Sequence, residues 1–571
     1  MISAERLLQE NLPQLQGKPW LQRPATWLLR NLIHEREFTQ FAAQYPHLHG
    51  IEFVEQVLDY FNFTYSVRDT ELDNIPSHGR VVIIANHPIG SLDGLALLKM
   101  VSKVRPDVKV VANDLLAELP PLADLLLPVR VFGGTTQRGD LQRINQHLND
   151  DAALIIFPSG EVSRLRPNGV RDTRWRAGFL RMAMTAQAPI LPVFIDARNS
   201  AWFYGASMVY KPLATMLLVK EMFRQQANNI NMRIGELVPF SAFAGNQIPL
   251  PAKVKLFKKH LYRIGHDKNG MFNTQSAIAW PEQRQALKAA VEQCECLGKT
   301  FDNKHIYLYQ YQGSSPILRE IGRLREVAFR AVGEGTLQRR DLDSYDTEYY
   351  HLLLWDADDL EIAGAYRLGD TAKINASKGR GHLYSDSLFD FDEAAMQPIF
   401  AHGLELGRSF VQPRYWGKRS LEYLWIGIGA LLRKHPQYRY LFGSVSISSA
   451  LPIQARELLV HFYRLYFPAT QTAMARHHNP FVSQAAGSLN ELFVGDDYKA
   501  DFSTLKHQLA HMGVAIPTLY KQYSELCDGD GVQFLDFGVD PDFSDSIDGL
   551  VLVDIEQLKP KKYQRYIAAR D

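Results

Sequence analysis

The feature that most restricts the fold of this chain is a set of short apolar runs rich in β-branched residues. VVIIA, VKVVA, ALIIF and ILPVFI are centred near residues 83, 110, 155 and 192. Runs this apolar have no polar face to turn to water, so they predict strands buried on both sides. The helical stretches between them predict crossovers, and together they give an α/β domain over residues 71–245. The preceding residues 1–70 read as helical, with Trp27, Leu28, Leu32 and Phe38 near a helical period.

A chain of 571 residues exceeds one ordinary core, so a second domain is expected. It is read over residues 304–571, where HIYLYQY is followed by the helix LREIGRLREVAFRAV. HLLLWDA and IAGAYRLG then flank an Asp358–Asp359 turn, and YLFGSVSIS, VQFLDFGV and GLVLVDI supply later strands. The intervening residues 246–303 read as a linker carrying a basic amphipathic helix with Lys253, Lys255, Lys258, Lys259 and Arg263. Its charged face suits water or an anionic lipid surface.

Net charge is +1, so no global field points to nucleic acid. Cys294, Cys296 and Cys527 are too few for a disulfide framework and read as reduced thiols, and no metal site is expected. The opening MISAERLLQENLPQL lacks the pattern of a secretory signal. Lys211 and Pro212 interrupt the longest apolar stretch, Ala201 to Val219, so it is not expected to span a bilayer. Its Trp202, Phe203, Tyr204 and Tyr210 suit a membrane interface as well as a buried helix.

The stretch IIANHPIGSLDGLALL places His87 where a strand ends and Asp93 where a helix begins. Ligands collect at such strand ends in open α/β sheets. A carboxylate one turn on can accept the Nδ1 proton and leave Nε2 free as a general base. The same residues also read as a capping histidine beside a helix-start aspartate. A second strand-to-loop segment, ALIIFPSGEVSR, converges on the first and carries Glu161, and DTRWRAGF and APILPVFI follow.

NHPIGSLDG, FPSGEVS and APILPVFI, in this order, resemble three sequence blocks of the PlsC-like glycerolipid acyltransferases over roughly Ser77 to Gly235. The resemblance implies that His87 is the general base and Asp93 its orienting partner. It implies that Ser159, Gly160 and Glu161 bind the acceptor, and that the hydroxyl attacks the thioester directly. The family spaces the pair by four residues, whereas five separate His87 from Asp93 here. In continuous helix one extra residue swings the carboxylate about 100° away, so Gly90 is expected to absorb it before the helix. A similar spacing occurs in the lyso-ornithine-lipid branch. Arg130 matches only loosely the arginine that holds an acceptor phosphate.

In the second domain, LREVAFRAVGEG, GAYRLG, ELGRSFV and FGSVS follow the order of the ornithine N-acyltransferases. These resemble acyl-homoserine-lactone synthases and the GNAT fold. The resemblance implies that Glu405 deprotonates an amino group, that Arg408 and Arg325 serve the substrate site, and that Arg414, Lys418 and Arg419 dock an acidic acyl carrier protein. Taken alone, the last three also read as ordinary surface charge.

The fold expected is thus α/β throughout: a PlsC-like domain, then a GNAT-like, acyl-homoserine-lactone-synthase-like domain. The two resemblances in one chain imply serial action. An amino acid such as ornithine is N-acylated from 3-hydroxyacyl carrier protein, and the new hydroxyl is then O-acylated at His87. No cofactor is implied beyond the acyl-carrier or acyl-CoA donor. The partners implied are the carrier protein, the lyso-lipid, the amino acid and an anionic membrane, with no nucleic acid. The expected location is cytoplasmic, at the inner face of the cytoplasmic membrane. A lysophosphatidate acyltransferase with a degenerate GNAT domain, or a non-catalytic lipid- or carrier-binding protein, fits the same residues.

Overall fold

The computed structural model describes residues 30, 34–113, 119–129, 138–167, 169–209, 211–245, 247–471, 473–484 and 486–568. Trp27, Leu28, Leu32, Arg130 and Tyr210 lie outside them. The chain divides into two compact units, Met1–Ala279 and Trp280–Asp571.

The first unit is built on a seven-stranded sheet. Its strands are β1 (Thr64–Val67), β2 (Val81–Ala85), β3 (Lys109–Asn113), β4 (Leu126–Val129), β5 (Ala153–Ile156), β6 (Ile190–Asp196) and β7 (Asn229–Ile234). Their order is β1-β7-β6-β2-β5-β3-β4, parallel except for β6 against β7. The four apolar runs are β2, β3, β5 and β6, and every residue of β2 and β5 is buried. Their side chains alternate between two cores, because successive residues of a strand face opposite sides. Val81, Ile83, Ile155 and Val193 pack on one face with helix α1 (Leu92–Ser102). Val82, Ile84, Leu154 and Ile190 pack on the other with α2 (Gly178–Thr185) and α3 (Leu250–Ile264).

Helix α3 corrects the linker reading. Its Val254, Phe257, Leu261 and Tyr262 are buried in the core of the first unit. Two of its cations are structural: Lys253 Nζ donates to the carbonyls of Phe243 (2.6 Å) and Gly245 (2.5 Å), and Lys258 Nζ to those of Asp172 (2.8 Å) and Thr173 (2.7 Å). Lysine stems pack along apolar surface while their ammonium groups satisfy carbonyls, so a basic helix need not be a solvated one. The second unit accordingly starts at Trp280, ahead of the expected residue 304.

Its sheet has eight strands. They are β8 (Glu295–Lys299), β9 (Lys304–Gln310), β10 (Tyr350–Asp356), β11 (Glu361–Asp370), β12 (Gly403–Val411), β13 (Tyr440–Ile447), β14 (Val532–Asp540) and β15 (Ser546–Asp554). The order is β8-β9-β10-β11-β12-β13-β15-β14, antiparallel except for β12 beside β13. That parallel pair is matched only from Gly403–Glu405 against Tyr440–Phe442, after which both strands run on unpaired with each other. Helices α5 (Ser420–Lys434) and α6 (Ile453–Tyr466) cover one face, and α4 (Pro316–Ala331) packs on the other. Among the described residues no helix is long and apolar enough to cross a membrane. Of the aromatic stretch, Phe203 and Tyr204 are buried while Trp202 is exposed.

Candidate active sites

The carboxyl ends of β2 and β5 lie side by side, and each runs into a turn. Asn86 fixes the first: its Nδ2 donates to the Ile195 carbonyl (2.8 Å), and Ile195 N donates to its Oδ1 (2.7 Å). Beyond it Gly90 takes φ +98°, and α1 then starts at Leu92. The extra residue between His87 and Asp93 is absorbed there. His87 Nδ1 sits 3.2 Å from Asp93 Oδ2, as the sequence led us to expect of Gly90.

Asp93 is fully buried at the helix N-terminus. Its Oδ2 accepts from Ile89 N (2.9 Å), and its Oδ1 from the amides of Gly90 (3.1 Å), Ser91 (3.0 Å) and Gly94 (3.0 Å). Burial opposes its charge, but His87 and the Ile89 and Gly94 amides outweigh that, and the carboxyl lies below its ordinary value. Burial likewise opposes the imidazolium, yet Asp93 and Asp172 together raise the His87 pKa. Phe157, from the end of β5, stacks on the imidazole at 4.2 Å. Among the described residues no group hydrogen-bonds to Nε2, which is therefore free to act on a hydroxyl.

A Cβ on Gly90 would lie 2.4 Å from Val162 Cγ2, in a backbone region that favours glycine. Gly90→Ala is expected to cost about 1–3 kcal/mol, read as a lowered Tm, and to move Asp93 away from His87.

Asp172 was not singled out in the sequence, yet it joins the two turns. Its Oδ1 accepts from His87 N (3.2 Å) and Ser163 Oγ (2.6 Å), and its Oδ2 from Trp175 Nε1 (2.8 Å). Ser163 N also donates to the His87 carbonyl (2.8 Å). The only signal was its place at the head of DTRWRAGF. In the FPSGE loop Gly160 takes φ +64° and Ser159 Oγ donates to the Glu161 carbonyl (2.7 Å). Glu161 accepts from Thr173 Oγ1 (2.6 Å) and faces Arg164 at 3.8 Å. Ser163, two residues beyond Glu161, is the residue of this segment that ties it to the His87 turn.

In the second unit, strand alternation and register place His351, Arg367, Glu405, Ser446, Asp548 and Asp540 on the same face of the sheet. Glu405 lies at the last matched pair of β12 and β13. It is buried; Tyr349 Oη donates to one oxygen and Ser385 N (2.7 Å) to the other. Burial pushes its carboxyl up, against the Tyr349 and Ser385 hydrogen bonds. Arg408 holds φ +48°, an uncommon backbone for a residue with a Cβ, and stacks its guanidinium over Tyr384 (5.0 Å) and Phe543 (5.1 Å). Tyr349, Tyr384 and Ser385 had no motif to mark them.

Arg325 is engaged by groups of the protein itself. It is fully buried, with Nη1 2.7 Å from Asp346 Oδ1 and Nη2 3.4 Å from His351 Nδ1. A buried guanidinium demands such partners, and Asp346 supplies its counter-charge. Of the basic docking set, Arg414 is engaged by Asp359 and, at 2.7 Å, by Glu361. Lys418 lies over the Tyr415 ring (5.2 Å) and Arg419 over Phe301 (5.4 Å).

Comparison with known proteins agrees with this division. Residues 6–268 match the family model described as acyltransferase, and residues 324–426 that described as acetyltransferase (GNAT) domain. A glycine N(alpha)-acyltransferase of Phocaeicola vulgatus is 30% identical, over 51% of this chain and 92% of the relative. A lyso-glycine lipid O-acyltransferase of Bacteroides thetaiotaomicron is 27% identical, over 44% of this chain and 92% of the relative. An L-ornithine N(alpha)-acyltransferase of Brucella abortus is 34% identical, over 20% of this chain and 42% of the relative. This chain is therefore an acyltransferase that belongs to the amino-acid N-acyltransferase family and joins its GNAT domain to a PlsC-like acyltransferase domain in one polypeptide.

Proposed function

We propose that the chain makes a diacylated amino-acid lipid in two steps, the second unit acting first. The amino nitrogen of the acceptor attacks a 3-hydroxyacyl thioester; the C–N bond forms, the C–S bond breaks, and the thiol leaves. Tyr349 Oη takes the amine's proton as it passes its own to Glu405, a proton returns from this pair to the departing thiolate, and the parted strands β12 and β13 receive the thioester arm. The 3-hydroxyl of the product then attacks a second acyl thioester in the first unit. His87 Nε2 removes the hydroxyl proton and returns it to the departing thiolate, while Asp93 holds the tautomer.

The observation that carries this reading is the His87–Asp93 pair with a free Nε2, in one chain with a GNAT unit. Acyl carrier protein is the proposed donor, with Lys418 and Arg419 as its contacts. The protein works against a membrane, since the intermediate is a lipid.

The test is direct. The full chain is incubated with an amino acid and 3-hydroxyacyl carrier protein, then with acyl carrier protein, and products are read by mass spectrometry. Mono-acyl and then diacyl product is expected. Glu405→Gln is expected to lower the first step by about 100-fold or more and to leave O-acylation of supplied mono-acyl substrate intact. O-acylation of lysophosphatidate that survives Glu405→Gln, without any amino-acid product, would support the phosphatidate reading instead.

A further inference from the structure

The turn that carries His87 is also held from its far side. Asn199 lies three residues beyond the end of β6 and is buried, with 6% of its surface exposed. Its Nδ2 donates to two successive carbonyls of the turn, those of Pro88 (3.2 Å) and Ile89 (3.2 Å). The amide nitrogen is the atom that must meet them, because carbonyl oxygens only accept. Asn199 Oδ1 is left buried with no hydrogen-bond partner among the described residues. An unmatched buried acceptor is destabilising, so the amide is oriented to serve the turn. Its own segment is fixed from behind. Asn199 N donates to Tyr204 Oη (3.0 Å), and Gln225 Nε2 to the Arg198 carbonyl (2.9 Å). The next residue, Ser200, gives its N and its Oγ, each at 2.8 Å, to the two oxygens of buried Glu221.

The opposite ends of the same peptide units meet Asp93. The Pro88 carbonyl and the Ile89 amide belong to one peptide plane, the Ile89 carbonyl and the Gly90 amide to the next. Carbonyl and N–H point to opposite sides of a trans peptide. Asn199 takes both carbonyls, while Asp93 accepts from Ile89 N (2.9 Å) at Oδ2 and from Gly90 N (3.1 Å) at Oδ1. Two peptide planes are thus strung between one side-chain amide and the carboxylate that orients His87. Asp93 Oδ2, which Ile89 N holds, is the same oxygen that faces His87 Nδ1. The residue that lengthens the His87–Asp93 spacing lengthens this stretch as well, and Gly90 gives it more freedom to rotate.

Resting on the proposed O-acyl transfer, we infer that Asn199 is a positioning residue for that step. It holds the Pro88 and Ile89 carbonyls so that the amides behind them keep the Asp93 carboxylate against His87. Without it the two planes are free to turn, and two of the four amide donors to Asp93 leave their places.

The test uses the full chain with a supplied mono-acylated amino acid and fatty-acyl carrier protein. Asn199→Ala is expected to lower kcat of O-acylation by about 10–100-fold with KM within about threefold, because misplacing a catalytic group by about 1 Å costs rate. N-acylation of the amino acid stays within about twofold. Asn199→Asp keeps the shape and withdraws the donor, so its loss is at least as large; each variant serves if the other does not fold. The acid limb of the kcat profile also moves to lower pH. His87 is faced by Asp93 and Asp172, and it loses part of the support of the first. In the Asp93→Asn background Asn199→Ala adds less than about threefold, as befits a residue that acts through Asp93. A kcat within twofold of wild type in either folded variant, full additivity with Asp93→Asn, or a lower rate with the acid limb unmoved would overturn the inference and leave the two-step reaction standing. A wild-type chain that leaves the supplied mono-acyl substrate unchanged would remove the proposed function and this inference with it.

Discussion

His87→Ala is expected to stop acylation of the hydroxyl while the first transfer continues, so that the mono-acylated amino acid accumulates. A positioned general base contributes roughly 10²–10⁴-fold, and the imidazole is the group in this site with an unengaged basic nitrogen. The alanine variant leaves Asp93 its four amide donors, so the turn persists and the loss is chemical. Mass spectrometry of timed reactions reads the ratio of mono- to diacyl product. Arrest of the first step as well would mean that the two steps are assigned to the wrong units.

The electrostatics of the pair add a pH signature. A general base works in its neutral form, and the His87 pKa lies above its ordinary 6.5. The O-acylation rate should therefore fall as pH drops through a value higher than a free imidazole's. Asp93→Asn removes the larger of the two charges that raise it and leaves Asp172 against burial, which lowers it. The acid limb should then move to lower pH while the plateau rate also falls, because the tautomer is no longer fixed.

The second large effect is on stability. Asp346→Ala is expected to cost about 3–5 kcal/mol, the range for breaking a buried ion pair from one side. Asp346 Oδ1 lies 2.7 Å from Arg325 Nη1 and 3.2 Å from Arg367 Nη1, and its carbonyl lies 2.9 Å from His351 Nε2. Both guanidinium groups are buried, so the variant leaves Arg325 without an acidic partner and Arg367 with Asp343 alone. Urea unfolding of the full chain, read as a lowered midpoint, measures this. A change within 0.5 kcal/mol, the usual size for surface substitutions, would show that water reaches the network.

The parts legible in the sequence share one property: their signal is local. Four apolar runs announced buried strands because a strand covered on both faces has no other composition. His87, Gly90 and Asp93 lie within a single turn, so their geometry followed from backbone freedom at one glycine. Asp172 was missed because its partners, His87 and Ser163, come from other segments, and an aspartate before a threonine carries no pattern. Asp548 and Asp540 were missed for a similar reason. GLVLVDI and VQFLDFGV read as strands, but the face on which their acids lie depends on register with β13, which pattern alone does not set. Lys253 and Lys258 misled because charge on an amphipathic helix normally signals water. Here carbonyls of neighbouring loops replace it.

The parting of β12 from β13 has a consequence of its own. Sheet edges are usually kept at the periphery, where charge, bulges or short length stop other strands from adding to them. In this protein an edge opens within the sheet, between two covered faces, beyond Glu405 and Phe442. The thioester arm proposed to lie here carries amides of its own, which would meet backbone groups that the two strands do not pair with each other.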